Sequence, residues 1–357
     1  MRMTQTEPEI QKLFTSQEKE QELLCGFDRG NKPTLGILQY CVSAASGVVY
    51  QIDENGDFTT HTGQTTFADG TTPLADRTVA QLPAQGETFF SYWFRGAHVR
   101  VSGIKTFQHA DVSGVQYFAY GADGEMMSSH AHEDLIVHEV LCILINYNAT
   151  SKKKIIFADE RHGDELGGYA HFMQHITTGA RWHRGLRFEG LADNATTFSR
   201  ITEGAFLDED IVHTLPEILT CPFAYRDANG DWEITDVIDN KLAHQVSGKT
   251  VYNEWDGTNW KLTNIGSDYF VVSAYATNDA EHRVFKVIGQ TLYPDRRTAR
   301  RQFQSAAFQI EDDGLPTTEF INLGCWIMHG QNNFSLEQGA IGEIWMDLRR
   351  KFPVDMF

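Results

Sequence analysis

Four times along this chain an apolar run meets a short Asp/Asn/Gly turn and then a second apolar run. The segments are VVYQIDENGDF at 48–58, QYFAYGADGEM at 116–126, FAYRDANGDWEI at 223–234 and VYNEWDGTNWKL at 251–262. Asn-Gly and Asp-Gly between alternating apolar residues predict β-hairpins, because Gly and Asn accept the positive φ that tight turns need. The recurrence is a shared hairpin device and not a fixed-period repeat. Aromatics at 12%, 30 glycines and only nine prolines in 357 residues point the same way, to a β-rich globular chain.

Further strands are expected at Phe89–Phe94, His98–Val101, Ile136–Tyr147, Lys154–Phe157, Tyr269–Ala276, Arg283–Gly289 and Glu319–Met328. Ile136–Tyr147 is almost continuously apolar, as a strand buried on both faces would be. Two helices are expected, a short one around Gly168–Thr177 and a longer one over Pro294–Ile310, which opens on Pro-Asp and stops before Gly314-Leu315-Pro316. Residues 1–26 are polar, with Ile10, Leu13, Phe14, Leu23 and Leu24 spaced for a short amphipathic helix ending near Gly26. The expected fold is therefore mainly β: two β-rich, sandwich-like domains joined by turn-rich segments, with an N-terminal helical arm and one longer C-terminal helix. The expected divisions are 1–30, 31–157 and 158–357.

A formal net charge of −18 disfavours nucleic acid as a partner, since phosphate would repel the chain. Cys25, Cys41, Cys142, Cys221 and Cys325 are odd in number and widely spaced, which reads as reduced, mostly buried thiols. The start MRMTQTEPEIQKLF has no apolar core of a secretory signal, and no run of about 18 apolar residues predicts a membrane span.

The chemistry-bearing residues concentrate in Ala158–Leu191, where His162, His171, His175 and His183 accompany Glu160, Asp164 and Glu165, with His213 further on. His171 and His175 stand four apart, so on a helix they share a face as in many zinc sites, and Glu160, His162 or Asp164 could add a third ligand. The metalloprotease pattern H-E-x-x-H is absent, because Phe172 follows His171. A packing role, with Tyr169, Phe172 and Trp182 covering the histidines, is preferred, and no cofactor is expected; His162, His171 and His175 remain the metal candidates.

Other clusters are read more plainly. SSHAHEDLIVHEV, with His130, His132 and His138, is a polar surface or interface run. The turns from Asp53 and Asp227 resemble calcium loops, but their twelfth residues are Gln64 and Ile238 where a bidentate Glu is needed. Trp255, Trp260 and Tyr252 could stack on sugar, and Arg296, Arg297, Arg300 and Arg301 could meet an acidic neighbour.

Several stretches together resemble a family of phage virion structural proteins. Asp159-Glu160-Arg161-His162-Gly163 is similar to its D-E-R-H-G signature, and His171, His175, Thr177, Gly179 and Ala180 match H-x-x-x-H-x-T-x-G-A. Tyr92–Phe107, Asp111–Glu125, Ile145–Ala158, Asp208–Thr214, Tyr252–Trp260, Phe270–Asp279, Val287–Tyr293 and Gly314–Phe320 resemble its other motifs in order. The departures are Asp164–Gly168 and the arm at 1–26. The resemblance implies a non-enzymatic, homo-oligomeric virion component, most naturally tail-associated as a fibre, adaptor or receptor-binding protein, and a trimer if a fibre. Neighbouring virion proteins and a host surface glycan are the partners it suggests, with the N-terminal arm docking on a neighbouring subunit. A capsid decoration or vertex protein is the close alternative. A carbohydrate-active tail enzyme using Glu160, His162, His171 and His175 is the catalytic one, and a metal-stabilised binding module is the third reading.

Overall fold

A computed structural model describes residues 24–131, 135–136, 139–164, 168–191, 195–305, 314–331, 333–336 and 345–347. The chain is mainly β, 48% strand against 9% helix, which rules out a helical bundle. The helical arm expected at 1–26 falls almost wholly outside the described residues.

All four turn segments form antiparallel hairpins: Val49–Ile52 with Phe58–His61, Gly114–Tyr120 with Met126–Ser129, Phe223–Arg226 with Trp232–Ile234, and Lys249–Trp255 with Trp260–Asn264. A common local chemistry makes them. Each turn opens on an aspartate whose carboxylate accepts the backbone N–H two residues on: Asp53 from Asn55, Asp123 from Glu125, Asp227 from Asn229 and Asp256 from Thr258. Such Asx turns mimic a backbone turn. Gly56 and Gly230 follow at φ 84° and 86°, where a side chain would be strained.

The chain divides into two compact units, each assembled from separate stretches: 1–110, 116–143 and 159–174 in the first, 111–115, 144–158 and 175–357 in the second. The chain thus crosses between units several times. One crossing lies between Ala158 and Asp159, beside the division expected at 157/158. It crosses again inside Val140–Asn148, a strand buried at every position as its apolar run predicts. That strand starts four residues later than expected, because Leu135–Ile136 is helical and the Glu139 N–H bonds back to the Leu135 carbonyl.

In the first unit an antiparallel sheet orders Phe58–His61, Val49–Ile52, Ile37–Cys41, Thr78–Leu82 and Lys105–Gln108. Its third and fourth strands are almost wholly buried, while the edge strands carry exposed residues. The hairpin Phe89–Phe94 with Ala97–Ser102 contributes Phe90 and Tyr92 to a run of rings. Tyr92 stacks on Tyr120 at 5.1 Å, flanked by Phe90 and Phe27. The Tyr92 hydroxyl donates to the Gly121 carbonyl, so its polar tip is satisfied in the core.

In the second unit the largest sheet orders Trp232–Ile234, Phe223–Arg226, Val284–Val287, Tyr269–Ala276, Ile321–Gln331 and Asn333–Leu336, with Trp345–Asp347 also pairing on Ile321–Gln331. Phe223–Arg226 runs parallel to Val284–Val287; the other ladders are antiparallel. Phe206, Phe223, Phe270, Leu323 and Trp326 lie in its core. Three smaller sheets accompany it among the described residues: one of Arg181–Gly185, Gly204–Asp208 and Ile211–Leu215, one of Gln245–Val246, Lys249–Trp255 and Trp260–Asn264, and the pair Phe188–Glu189 with Arg200–Ile201.

Among the described residues, the helices α1 at Gly168–Thr177 and α2 at Arg296–Ser305 are each ten residues long. The C-terminal helix is therefore not the longer of the two among the described residues; 306–310 of the expected span lie outside them. Asp295 caps α2, its carboxylate accepting from the Thr298 N–H and hydroxyl. The thiols of Cys41, Cys142, Cys221 and Cys325 are buried, and burial pushes Cys41 and Cys221 up to about 11, so they stay protonated and inert.

Candidate functional site

Arg161 is completely buried, and every branch of its guanidinium has an acceptor. Nε donates to Asp159 Oδ1 at 2.7 Å and one terminal nitrogen to Asp159 Oδ2 at 2.8 Å, a bidentate fork. The remaining donors reach the carbonyls of Leu35, Gly36 and Asp53 at 3.1, 2.7 and 3.0 Å. Burial of Asp159 alone would raise its pKa, but the Arg161 charge and hydrogen bonds, with the Arg29 charge behind them, hold the carboxyl well below the usual range.

The residues beside this clamp build a small recess. Glu160 is anchored by its N–H to the Cys142 carbonyl, and His162 by its N–H to the Glu160 carbonyl. Residues 25–27 then bind alongside: Cys25 N–H to Asp164 O, Phe27 N–H to His162 O and Asp164 N–H to Phe27 O. Gly26 fits there only as glycine, since a Cβ would stand 2.6 Å from the Gly163 carbonyl oxygen and its φ is +142°. Helix α1 brings His171 over His162, ring centroids 4.0 Å apart. Glu160 Oε2 lies 3.5 Å from His162 Nε2. Cys25, Glu139, Glu160, His162, Gly163 and His171 are among the lining of this recess.

His175, although four residues from His171 on the same helix, has other partners. Its Nε2 contacts Glu319 Oε1 and lies 3.1 Å from the Thr318 hydroxyl. Just beyond α1, Ala180 donates its N–H to the Thr318 carbonyl at 2.7 Å. Gly179, at φ 53°, lets the chain pass where a Cβ would be 2.8 Å from that same oxygen. The second half of the motif thus grips the turn Thr317–Glu319 within the second unit. Thr177, by contrast, is exposed, with its hydroxyl 3.3 Å from that of Thr178.

His213 sits elsewhere in the second unit, stacked on Phe206 at 4.8 Å with Nε2 3.4 Å from Asp208 Oδ2. Arg283 approaches its Nδ1 at 3.2 Å; guanidinium can only donate, which assigns the ring proton of a neutral His213 to Nε2. His183 is exposed. Of the second polar run, His130 is exposed and near Gln116, while His132 and His138 lie outside the described residues. Of the proposed sugar-stacking residues, Trp255 is 51% exposed, whereas Trp260 and Tyr252 are buried. On α2, Arg297 and Arg301 are exposed and Arg296 and Arg300 half-buried, with Ala299 turned to the interior.

Sequence reasoning missed Asp159 as the partner of Arg161, Glu319 as the partner of His175, and Cys25 and Glu139 as lining of the recess. A carboxylate two residues before an arginine at a strand end was the one signal in reach. The molecule is thus a mainly β protein in which the segment from Asp159 to His171 combines a buried arginine clamp with a histidine–glutamate recess. No family model, curated protein or solved structure matches the chain.

Proposed function

We propose that this chain is a structural, non-catalytic component of a phage virion: a homo-oligomeric, tail-associated protein acting as fibre, adaptor or receptor-binding module. The observation that carries the reading is the use made of its signature residues. Arg161, Gly163, His175, Gly179 and Ala180 each hold a distant piece of chain in place, through carbonyl acceptors and close backbone approach. A scaffold that meets neighbours repeatedly around a symmetry axis needs such rigidity. We read each unit as a sandwich-like β domain, because its inner strands are buried on both faces.

The receptor-binding form of the proposal rests on Trp255, exposed at a hairpin end and tilted against Trp260 at 5.5 Å. An exposed indole backed by a second one suits stacking on a host surface glycan. The described residues include no helix long and apolar enough to cross a membrane. The net charge of −18 speaks against nucleic acid as partner.

Immunogold labelling of purified phage particles, with antibody raised against the full chain, tests the reading. Gold on the tail or its appendages supports it, gold over the head favours a capsid decoration or vertex protein, and unlabelled particles from a lysate that contains the protein overturn it. Light scattering should give a concentration-independent oligomer, a trimer for a fibre; a strict monomer contradicts the homo-oligomer.

A further inference from the structure

We propose that the recess in the first unit is a binding site for a divalent transition-metal ion of the zinc class, held by Glu160, His162 and His171. The three side chains are nearly buried, at 0, 4 and 6% exposure, and come from the end of one strand and from α1. Two approaches suit a shared coordination sphere, Glu160 to His162 and His162 to His171, and all three residues line the one recess. Ligand atoms bonded at 2.0–2.1 Å to a tetrahedral ion stand about 3.3 Å apart. Glu160 Oε2 and His162 Nε2 are 3.5 Å apart, near that edge length and longer than a good N–H···O hydrogen bond. A ring nitrogen of His171 lies within 4.8 Å of one on His162.

Donor chemistry selects the ion. Two imidazoles and one carboxylate suit zinc and its neighbours, whereas calcium and magnesium prefer oxygen alone. Three protein ligands leave a further position, and the space beside them is about that of a single water molecule. Cys25 and Glu139 line the same space, so softer and harder donors are both at hand. The ligands are also held: the Glu160 N–H is tied to Cys142 O, and the backbone of 162–164 to residues 25–27. Such support orients ligands before the ion arrives.

The test uses the full chain without a histidine tag. Mass spectrometry of the metal content should find about one zinc-class ion per chain as purified, or after EDTA dialysis and reloading with ZnCl₂. Zinc at a hundredfold its Kd should raise the Tm by about 5 °C. Glu160→Gln and His171→Ala should each lose at least tenfold in zinc affinity, while His183→Ala, on an exposed histidine, should not. Should either variant fail to fold, Co²⁺ loading of the wild-type chain decides: visible d–d absorption from imidazole-bound cobalt is expected. A chain that takes up neither zinc nor cobalt, or variants that hold zinc as tightly as His183→Ala, would overturn the proposal.

Discussion

Arg161 carries a full charge into an interior where no part of it meets water, which a protein tolerates only when each donor has an acceptor. Replacing it with alanine leaves Asp159 buried without its cation and strips three carbonyls of a donor, so the loss should be about 3–5 kcal/mol in urea denaturation. Arg161→Lys should fall between, since an ammonium keeps the charge but cannot span Asp159 and three carbonyls. A midpoint unchanged in Arg161→Ala would remove the clamp from the account of the fold. The same pair sets an acid limit. Because the folded pKa of Asp159 is depressed, its contribution is complete above the unfolded value near 4 and is lost as pH falls toward the folded one. Stability should therefore hold from pH 7 to about 5 and decline below about 4, and Asp159→Asn should flatten that decline. His175→Ala takes one partner from the buried Glu319 carboxylate and should cost about 1–3 kcal/mol, whereas the exposed His183→Ala should shift the Tm little.

The elements divide into those made by local chemistry and those made by distant neighbours. The hairpins are of the first kind: their aspartate caps and glycines lie within five residues of each other, which is why they could be read from the sequence. The stretch 25–27 is of the second kind. Its place depends on Gly26 lying flat against Gly163 and His162, and nothing near Gly26 in the chain announces that. Gly56 and Gly26 make the comparison testable. Gly56→Ala strains the backbone but meets no atom within 4 Å, so about 1 kcal/mol is expected. Gly26→Ala adds a clash with two carbonyl groups and should cost clearly more, and equal melting temperatures for the two variants would contradict the close approach. The helices show the same split: α2 begins at its Asp295 cap, as its Pro-Asp start predicted, but α1 owes its two histidines' different roles to what packs against each.

At the scale of the molecule, charge is the property most directly set by composition. With a sequence pI near 5.1 and a charge of −18 at neutral pH, solubility should pass through a minimum near pH 5, and duplex DNA should not retard in a gel shift with the protein. A shift at moderate salt would mean a basic face that the total conceals. The mainly β class, the four hairpins and the short helix at Gly168–Thr177 were legible in the sequence, because turn geometry and periodicity act over a few residues. The candidate site was legible only as a list of residue types. Arg161 meets Leu35, Gly36 and Asp53 across 126, 125 and 108 residues, and His175 meets Glu319 across 144. A buried polar group takes whichever acceptor the folded chain brings within about 3 Å. That pairing is decided by the packing of whole sheets, and so the tertiary structure alone separated the arginine that holds the first unit from the histidines that line its recess.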